Sequence, residues 1–298
     1  MRKIGWIIEV GLVSCLMSLF AVLPFRVSLS LGEFLGTLCS IPFKRRRSIA
    51  LDNIKGTIDR GHLRIDSTPE DIVARHFANL GRSFAEISRV LLKKDRRVIE
   101  NITFEGIEDY INARQRGKGV IFITGHCGNW ELMAIAMAWK GYPVSVIARP
   151  LDNPYMDRVI GALRTRFGNK VISKWGALRG SLRALRAGET IGILIDQSVV
   201  PDEGVIIEFL GKKAYTTKMP ALIAMKTGAA VIPAFINYLG DGRHKFSVGK
   251  EIGLQDTGNN EQDIIENTRR FSAYIEDYIR QTPSEWLWMH RRWKPIRQ

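Results

Sequence analysis

The chain is short of cysteine and of negative charge. Three cysteines occur in 298 residues: Cys15, Cys39 and Cys127. Their odd count, and the apolar setting of the first two, allow no disulfide framework and point to a reducing compartment. The five histidines do not cluster with one another, and His126 beside Cys127 brings no further ligand. No zinc spacing can be drawn, and neither a metal nor a redox cofactor is expected. Internal repeats, low-complexity linkers and nucleic-acid-binding motifs are missing too, which sets nucleic acid aside as a partner. Acidic residues number 30 against 44 basic ones, a net charge of +14. A surface this basic favours other polyanions, such as anionic lipid or an acidic carrier protein. Composition is otherwise ordinary, with 45% hydrophobic and 25% charged residues, enough for one large domain or two small ones.

Charge is absent altogether from residues 10–25, VGLVSCLMSLFAVLPF. Extended back to Ile4, the run admits one acid, Glu9. A spanning helix needs about 20 mostly apolar residues, and this run qualifies. A second apolar stretch, 27–43, is interrupted by Gly32 and Glu33 and ends at KRRR, 44–47. No small-x-small cleavage site follows the first run, which disfavours a signal peptide. The expectation is an N-terminal membrane anchor over 1–43 and a separate domain over 44–298. Basic residues just past the apolar region place that domain on the cytoplasmic side, in contact with anionic headgroups. A single span and a re-entrant dip are both compatible with the pattern.

Periodicity beyond the basic cluster is regular. Ile72, Val73, His76, Phe77, Leu80, Phe84, Ile87 and Leu91 share one helical face, which predicts a helix over 69–93 with Pro69 in its first turn. From about residue 100, short apolar runs alternate with amphipathic ones. Strands are expected at NITFEG, GVIFIT (119–124), PVSVIAR (143–149), KVI and ETIGILIDQ. Helices are expected at EDYINARQRG, ELMAIAMAWK, 153–167 and GALRGSLRALRAG. GVIIEFLG, PALIAMKTG and AAVIPAFINYL continue the series, and a long helix closes it at 260–281. The fold class is therefore α/β, a mostly parallel sheet with helices on both faces. Active sites in such sheets lie at the carboxyl ends of strands.

One of those ends reads TGHCGNWELM, residues 124–133. Asn129 is placed to cap the following helix, which puts Glu131 in its first turn. Residues five apart on a continuous helix diverge by about 140°. His126, however, precedes the helix in a glycine-flanked turn, which can fold the imidazole back so that Nδ1 meets Glu131. Such a pair can take a proton from a hydroxyl. A Cys127–His126 nucleophilic dyad is a poorer reading, because adjacent side chains rarely face each other. A plain capped helix with an incidental histidine stays open on this stretch alone.

The larger pattern is more specific. GHCGNWE resembles the His-four residues-Glu signature of the lysophospholipid acyltransferase-like superfamily. RRRSIALDNI, GHCGNWELMA, ARPLDNPYMDRVIGALRTRFG, ILIDQ, IEFLGKKAYTT, ALIAMKTGAAVIPAF and WLWMHRRWK follow in the order and spacing of one branch, the bacterial lipid A biosynthesis (lauroyl and myristoyl) acyltransferases. The resemblance covers essentially the whole chain. Phenylalanine often stands in that family where this chain has Cys127, and glycine often precedes the helix that here begins Met219-Pro220. Neither departure removes a chemical group.

The resemblance implies a glycerolipid-acyltransferase-like fold and, in 44–298, an acyltransferase domain at the bacterial inner membrane. An acyl thioester, on acyl carrier protein or coenzyme A, would donate its chain to a hydroxyl of a lipid A precursor. His126 would act as general base with Glu131 as its partner. Arg149 would bind the oxyanion or a phosphate. Asn129, Arg164, Asp196 and Gln197 would contact substrate, with Asp196 and Gln197 also placed to support the histidine. Competing readings keep the chemistry on another glycolipid or a lysophospholipid, or turn the pair to hydrolysis. A further class is a basic membrane adaptor without activity. The terminal WLWMHRRWK reads equally as an interfacial tryptophan belt or as a packing plug.

Overall fold

The computed structural model describes residues 2–94 and 96–296. Four helices precede the sheet: α1 (Arg2–Val22), α2 (Phe25–Cys39), α3 (Lys44–Asp59) and α4 (Pro69–Leu91). There follow α5 (Arg96–Glu100), β1 (Ile102–Glu105), α6 (Ile107–Gln115), β2 (Val120–Thr124), α7 (Trp130–Trp139), β3 (Val144–Ala148), α8 (Pro154–Thr165), β4 (Lys170–Ser173), α9 (Ala177–Arg186) and β5 (Thr190–Leu194). The chain ends with β6 (Gly204–Phe209), β7 (Lys212–Thr217), α10 (Met219–Thr227), β8 (Ala230–Gly240), β9 (Arg243–Val248) and α11 (Asn260–Gln281).

Seven strands form one sheet in the order β1-β9-β8-β2-β5-β3-β4. Neighbours run parallel except at the β8–β9 hairpin. The expected α/β class is what the structure has. Along β2, Ile121 and Ile123 enter one core while Val120 and Phe122 enter the other. This alternation follows from a strand covered on both faces. Two features depart from the expected alternation. GVIIEFLG does not join the main sheet but pairs with 212–217 as the antiparallel hairpin β6–β7. RHKFSV, unassigned from sequence, is β9; its polar residues hid a strand that has one buried face.

Helix α4 shows how the N-terminal helices join the sheet. Thr68 and Asp71 close a capping box at its start, with Pro69 next. One face carries the predicted apolar stripe. The opposite face is covered as well: Arg82 reaches Glu33 of α2, Glu86 meets Asn129 and His244, and Arg89 reaches the end of α1, so all three are buried. Helices α2 and α4 touch backbone to backbone: a Cβ at Gly81 would lie 2.0 Å from the Gly32 carbonyl oxygen. Arg89 donates to the carbonyls of Phe20 and Leu23, each at 2.8 Å, and so answers the free C-terminal carbonyls of α1.

His76, on the apolar stripe, is buried, and burial pushes its pKa down from 6.5 to about 4. The folded value lies below the unfolded one, so the unfolded chain takes up the proton first. This contribution to stability is whole above about pH 6.5 and drains away as pH falls toward 4. At pH 5 the loss comes to about 2 kcal/mol. Thermal unfolding in detergent should therefore show a drop in Tm between pH 7 and pH 5 that is clearly smaller in His76→Gln. An identical drop in both proteins would show that His76 does not carry it.

Candidate active site

Strands β2 and β5 are parallel neighbours, with Thr124 opposite Leu194. The ladder runs on past both ends, as Ile195 N–H donates to the Thr124 carbonyl at 3.0 Å. Two residues beyond each paired position stand His126 and Asp196. The register alone therefore places an imidazole across from a carboxylate at the carboxyl edge of the sheet. Between them lies a glycine-shaped turn. Gly128 has φ +55°, and a Cβ there would sit 2.2 Å from the Ile236 carbonyl oxygen.

Asp196 is buried and takes three hydrogen bonds. His126 Nδ1 lies 2.8 Å from Oδ1, while Oδ2 accepts from the His126 backbone N–H at 3.0 Å and from the Trp286 indole at 2.8 Å. Burial pushes the carboxyl pKa up. The charge of His126 and the bonds from His126 and Trp286 outweigh that and hold it at about 2. An ionised Asp196 fixes the proton on Nδ1 and leaves Nε2 as the free base. The Gln197 amide approaches Nε2 at 3.3 Å, and the Trp130 ring meets the imidazole edge-on with centroids 5.1 Å apart.

This arrangement corrects the expected His126–Glu131 pair. Glu131 does stand in the first turn of α7, but its carboxylate is held bidentately by Arg164 of α8, through Nε at 2.9 Å and through Nη2. The turn aims the imidazole at β5, while the first turn of α7 faces α8. Asn129 is also corrected as a substrate contact, because it is buried. Its oxygen caps α7 at Leu132 N–H, and its amide donates to Glu86 at 2.8 Å. Glu86 in turn meets His244 Nε2 at 2.7 Å. Arg149 lies exposed beyond β3 and pairs with Asp152 at 3.0 Å. Among the described residues, no three His, Cys, Asp or Glu side chains converge as a metal-ligand set.

Two cavities meet this centre. A mixed polar and apolar one of about 620 Å³ is lined by His126, Glu131, Arg149, Arg164, Lys174, Gln197 and Lys218 among others. A mainly apolar one of about 530 Å³ lies among α1, α2 and α4, with Leu287, Met289 and His290 on its wall. Leu287, which lines this second cavity, donates its N–H to the His126 carbonyl. Sequence reasoning did not assign Trp286 to the site. The tryptophan-rich terminus was visible, but its contact with Asp196 spans 90 residues. Trp286, Trp288 and Arg292 are buried, so WLWMHRRWK is a packing plug.

The sequence model of the bacterial lipid A biosynthesis acyltransferase family matches residues 4–295. The chain belongs to that family. It is an acyltransferase, as the quoted motifs imply. It is 24% identical over 274 residues to a lipid A biosynthesis acyltransferase of Haemophilus influenzae, covering 91% of this chain and 83% of the relative. A lipid A biosynthesis lauroyltransferase of Escherichia coli is 26% identical over 276 residues, 91% and 87% of the two chains. A phosphatidylinositol mannoside acyltransferase of Mycolicibacterium smegmatis is 24% identical over 230 residues, 76% and 73%.

Cys127 sits beside the dyad, and its chemistry is constrained by its surroundings. Burial, then the charges of Asp196 and Glu285, push its thiol well above the usual range, so the thiolate nucleophile is suppressed. In the folded protein a maleimide should spare Cys127 until denaturation, as peptide mass spectrometry would show. Labelling of Cys127 in the native protein at the rate seen after denaturation would reopen a covalent acyl-cysteine route.

Proposed function

We propose that the protein transfers a fatty acyl chain from an acyl thioester to a hydroxyl of a lipid A precursor, with His126 and Asp196 as the catalytic dyad. One observation carries the reading: His126 Nδ1 is bound to a buried carboxylate at 2.8 Å while the same ring lines the larger cavity. Nε2 takes the acceptor hydroxyl proton as the oxygen attacks the thioester carbonyl carbon. Asp196 stabilises the resulting imidazolium. The tetrahedral adduct then expels the thiolate, which recovers the proton from Nε2. The Gln197 amide, beside the reacting nitrogen, is placed to donate to the developing oxyanion. Glu131 fixes the guanidinium plane of Arg164 in the cavity wall, where Arg164 grips an anionic oxygen of the substrate. Arg149, Lys174 and Lys218 add positive charge for phosphate. Acyl carrier protein and coenzyme A both present an anionic carrier to this surface.

Reconstituted protein, a labelled acyl thioester and a lipid A precursor test the reading, with mass spectrometry of the product. One added chain supports transfer, whereas free fatty acid released whether or not acceptor is present means hydrolysis. A mannoside or lysophospholipid acylated in preference to the lipid A precursor would move the acceptor. His126→Ala should lose about 10²–10⁴-fold in kcat. Asp196→Asn should fall by a similar factor, and the double variant should be little worse than either. Glu131→Gln and Arg164→Ala should behave as a second non-additive pair. Additive losses for His126 and Asp196 would break the dyad.

The same proposal places residues 1–43 in the bacterial inner membrane, with 44–298 as the acyltransferase domain on the cytoplasmic side. Helix α1 is long and apolar enough to span and leaves Ile4, Ile7, Ile8 and Leu12 exposed. Its one acid, Glu9, accepts from the Asn153 amide at 2.9 Å. Phe34, Leu38, Ile41 and Phe43 are exposed just before Lys44–Arg47, an apolar patch with a basic border. The apolar cavity behind them suits an acyl chain. Full-length protein should stay with membranes through a high-salt wash; complete release by salt would reduce the attachment to electrostatics.

A further inference from the structure

We infer that Trp286 is a positioning residue of the dyad: its indole N–H holds the Asp196 carboxylate in register with His126 and sets the pH at which the dyad takes up a proton. The inference rests on the dyad reading above.

Three tryptophans of the C-terminal segment donate indole N–H bonds, and their acceptors differ. Trp288 and Trp293 donate to backbone carbonyls, those of Pro283 at 2.6 Å and Phe209 at 3.1 Å. Such bonds serve packing. Trp286 donates instead to a carboxylate oxygen at 2.8 Å. Trp286 and Asp196 are each 1% exposed, so little water can replace the bond. Hydrogen bonds to charged groups are the stronger class, and this one lies one carboxylate away from the reacting imidazole.

Geometry makes the contact directional. Oδ2 is held from two sides, by Trp286 and by the His126 backbone N–H, which leaves Oδ1 aimed at Nδ1. The indole is itself pinned. The segment around it pairs with the catalytic turn, with Cys127 bridged to Trp286 and Leu287 N–H donating to the His126 carbonyl. Asn53 of α3 donates to the Trp288 and His290 carbonyls at 2.8 and 2.9 Å. The terminal segment thus reaches the dyad at both ends, carboxylate and imidazole backbone.

Other charged and titratable groups face the pair. His290 and Arg292 act on Asp196 from the same segment. Cys127 and Glu285 lie behind the turn, and the Glu131–Arg164 pair stands in the cavity wall. None of these donates a hydrogen bond to Asp196; Trp286 does. Loss of its N–H leaves Oδ2 with one donor, so the anion is less stabilised and the dyad holds its proton more tightly.

The test removes the N–H while keeping the ring. Trp286 is replaced by benzothienylalanine, whose sulfur stands where the N–H was; Trp286→Phe is the encodable companion. Two readouts are taken. The first is the pH profile of kcat/KM for acyl transfer. The second needs no activity: the pH midpoint of His126 modification by diethylpyrocarbonate, which attacks the unprotonated ring, with half-buried His62 as internal control. Both the acid limb and the His126 midpoint should move to higher pH by about one unit, with His62 unmoved. An unchanged His126 midpoint in a benzothienylalanine protein of wild-type Tm would overturn the inference and leave Trp286 as packing. A wild-type protein that transfers no acyl chain, in which the midpoint still moves with Trp286, would support the positioning role and remove the transferase reading instead.

Discussion

A carboxylate sealed from water at the end of a parallel strand must be answered by donors, and much of this molecule is arranged around that demand. Left unpaired, Asp196 would cost several kcal/mol or remain protonated. Its answers come from two distant parts of the chain: the turn after β2, through both the backbone and the imidazole of His126, and the C-terminal segment. The same bonds that make the burial tolerable decide which nitrogen of His126 carries the proton. Structural satisfaction and chemical readiness are here one set of contacts.

A second buried acid does comparable work from the other side of the turn. Burial opposes ionisation of Glu86, yet the charges of His244 and Arg82 and the Asn129 amide hold its pKa below the usual range. Asn129 also caps α7, so β9, α4 and the loop before α7 meet at one carboxylate. Arg82 lies 3.4 Å over the Tyr238 ring and reaches Glu33 of α2 at 3.0 Å. A chain of polar contacts thus runs from the N-terminal helices to the residue that starts α7. The turn that carries His126 is clamped between two buried carboxylates, which explains why it tolerates two glycines without being loose: Gly128 is required by the close approach of Ile236, and the rest is held by bonds.

The alternation of elements was legible because period-2 and period-3.6 patterns survive whatever the strand order is. Strand order itself is not local information. That β2 lies beside β5, and not beside β3, decides that Asp196 rather than Glu131 meets His126. Glu131 is five residues from the histidine and Asp196 is 70, and sequence proximity favoured the wrong carboxylate. A histidine–carboxylate pair beside a basic cavity could be read at the level of residue types; which carboxylate it is could not. Asn129 shows the same limit from the other direction. Its helix-capping role is local and was predicted, whereas its inward amide contact depends on α4, whose buried Glu86 looks like a solvent-facing residue in the sequence pattern. The strand β9 was missed for a related reason, since His244 and Lys245 are read as polar until Glu86 and Glu105 are known to face them.

The two cavities bring these constraints to one point. A transferase of lipid chains must bring a hydrocarbon, which belongs out of water, to a reaction that requires charge separation, which belongs near polar groups. Here the apolar cavity is walled by helices that carry the exposed hydrophobic surface, and the other cavity is edged by Arg149, Arg164 and Lys174. His126 lines the second, and its backbone carbonyl accepts from Leu287, which lines the first. The terminal segment connects the apolar cavity with the buried carboxylate. It supplies Leu287, Met289 and His290 to the apolar side and the Trp286 N–H to the buried carboxylate. Its position accounts for tryptophans that are buried rather than interfacial. Within that segment the Trp286 and Trp288 rings meet edge to face, with centroids 4.6 Å apart, a packing that excludes water from the buried carboxylate while leaving each indole N–H a fixed acceptor.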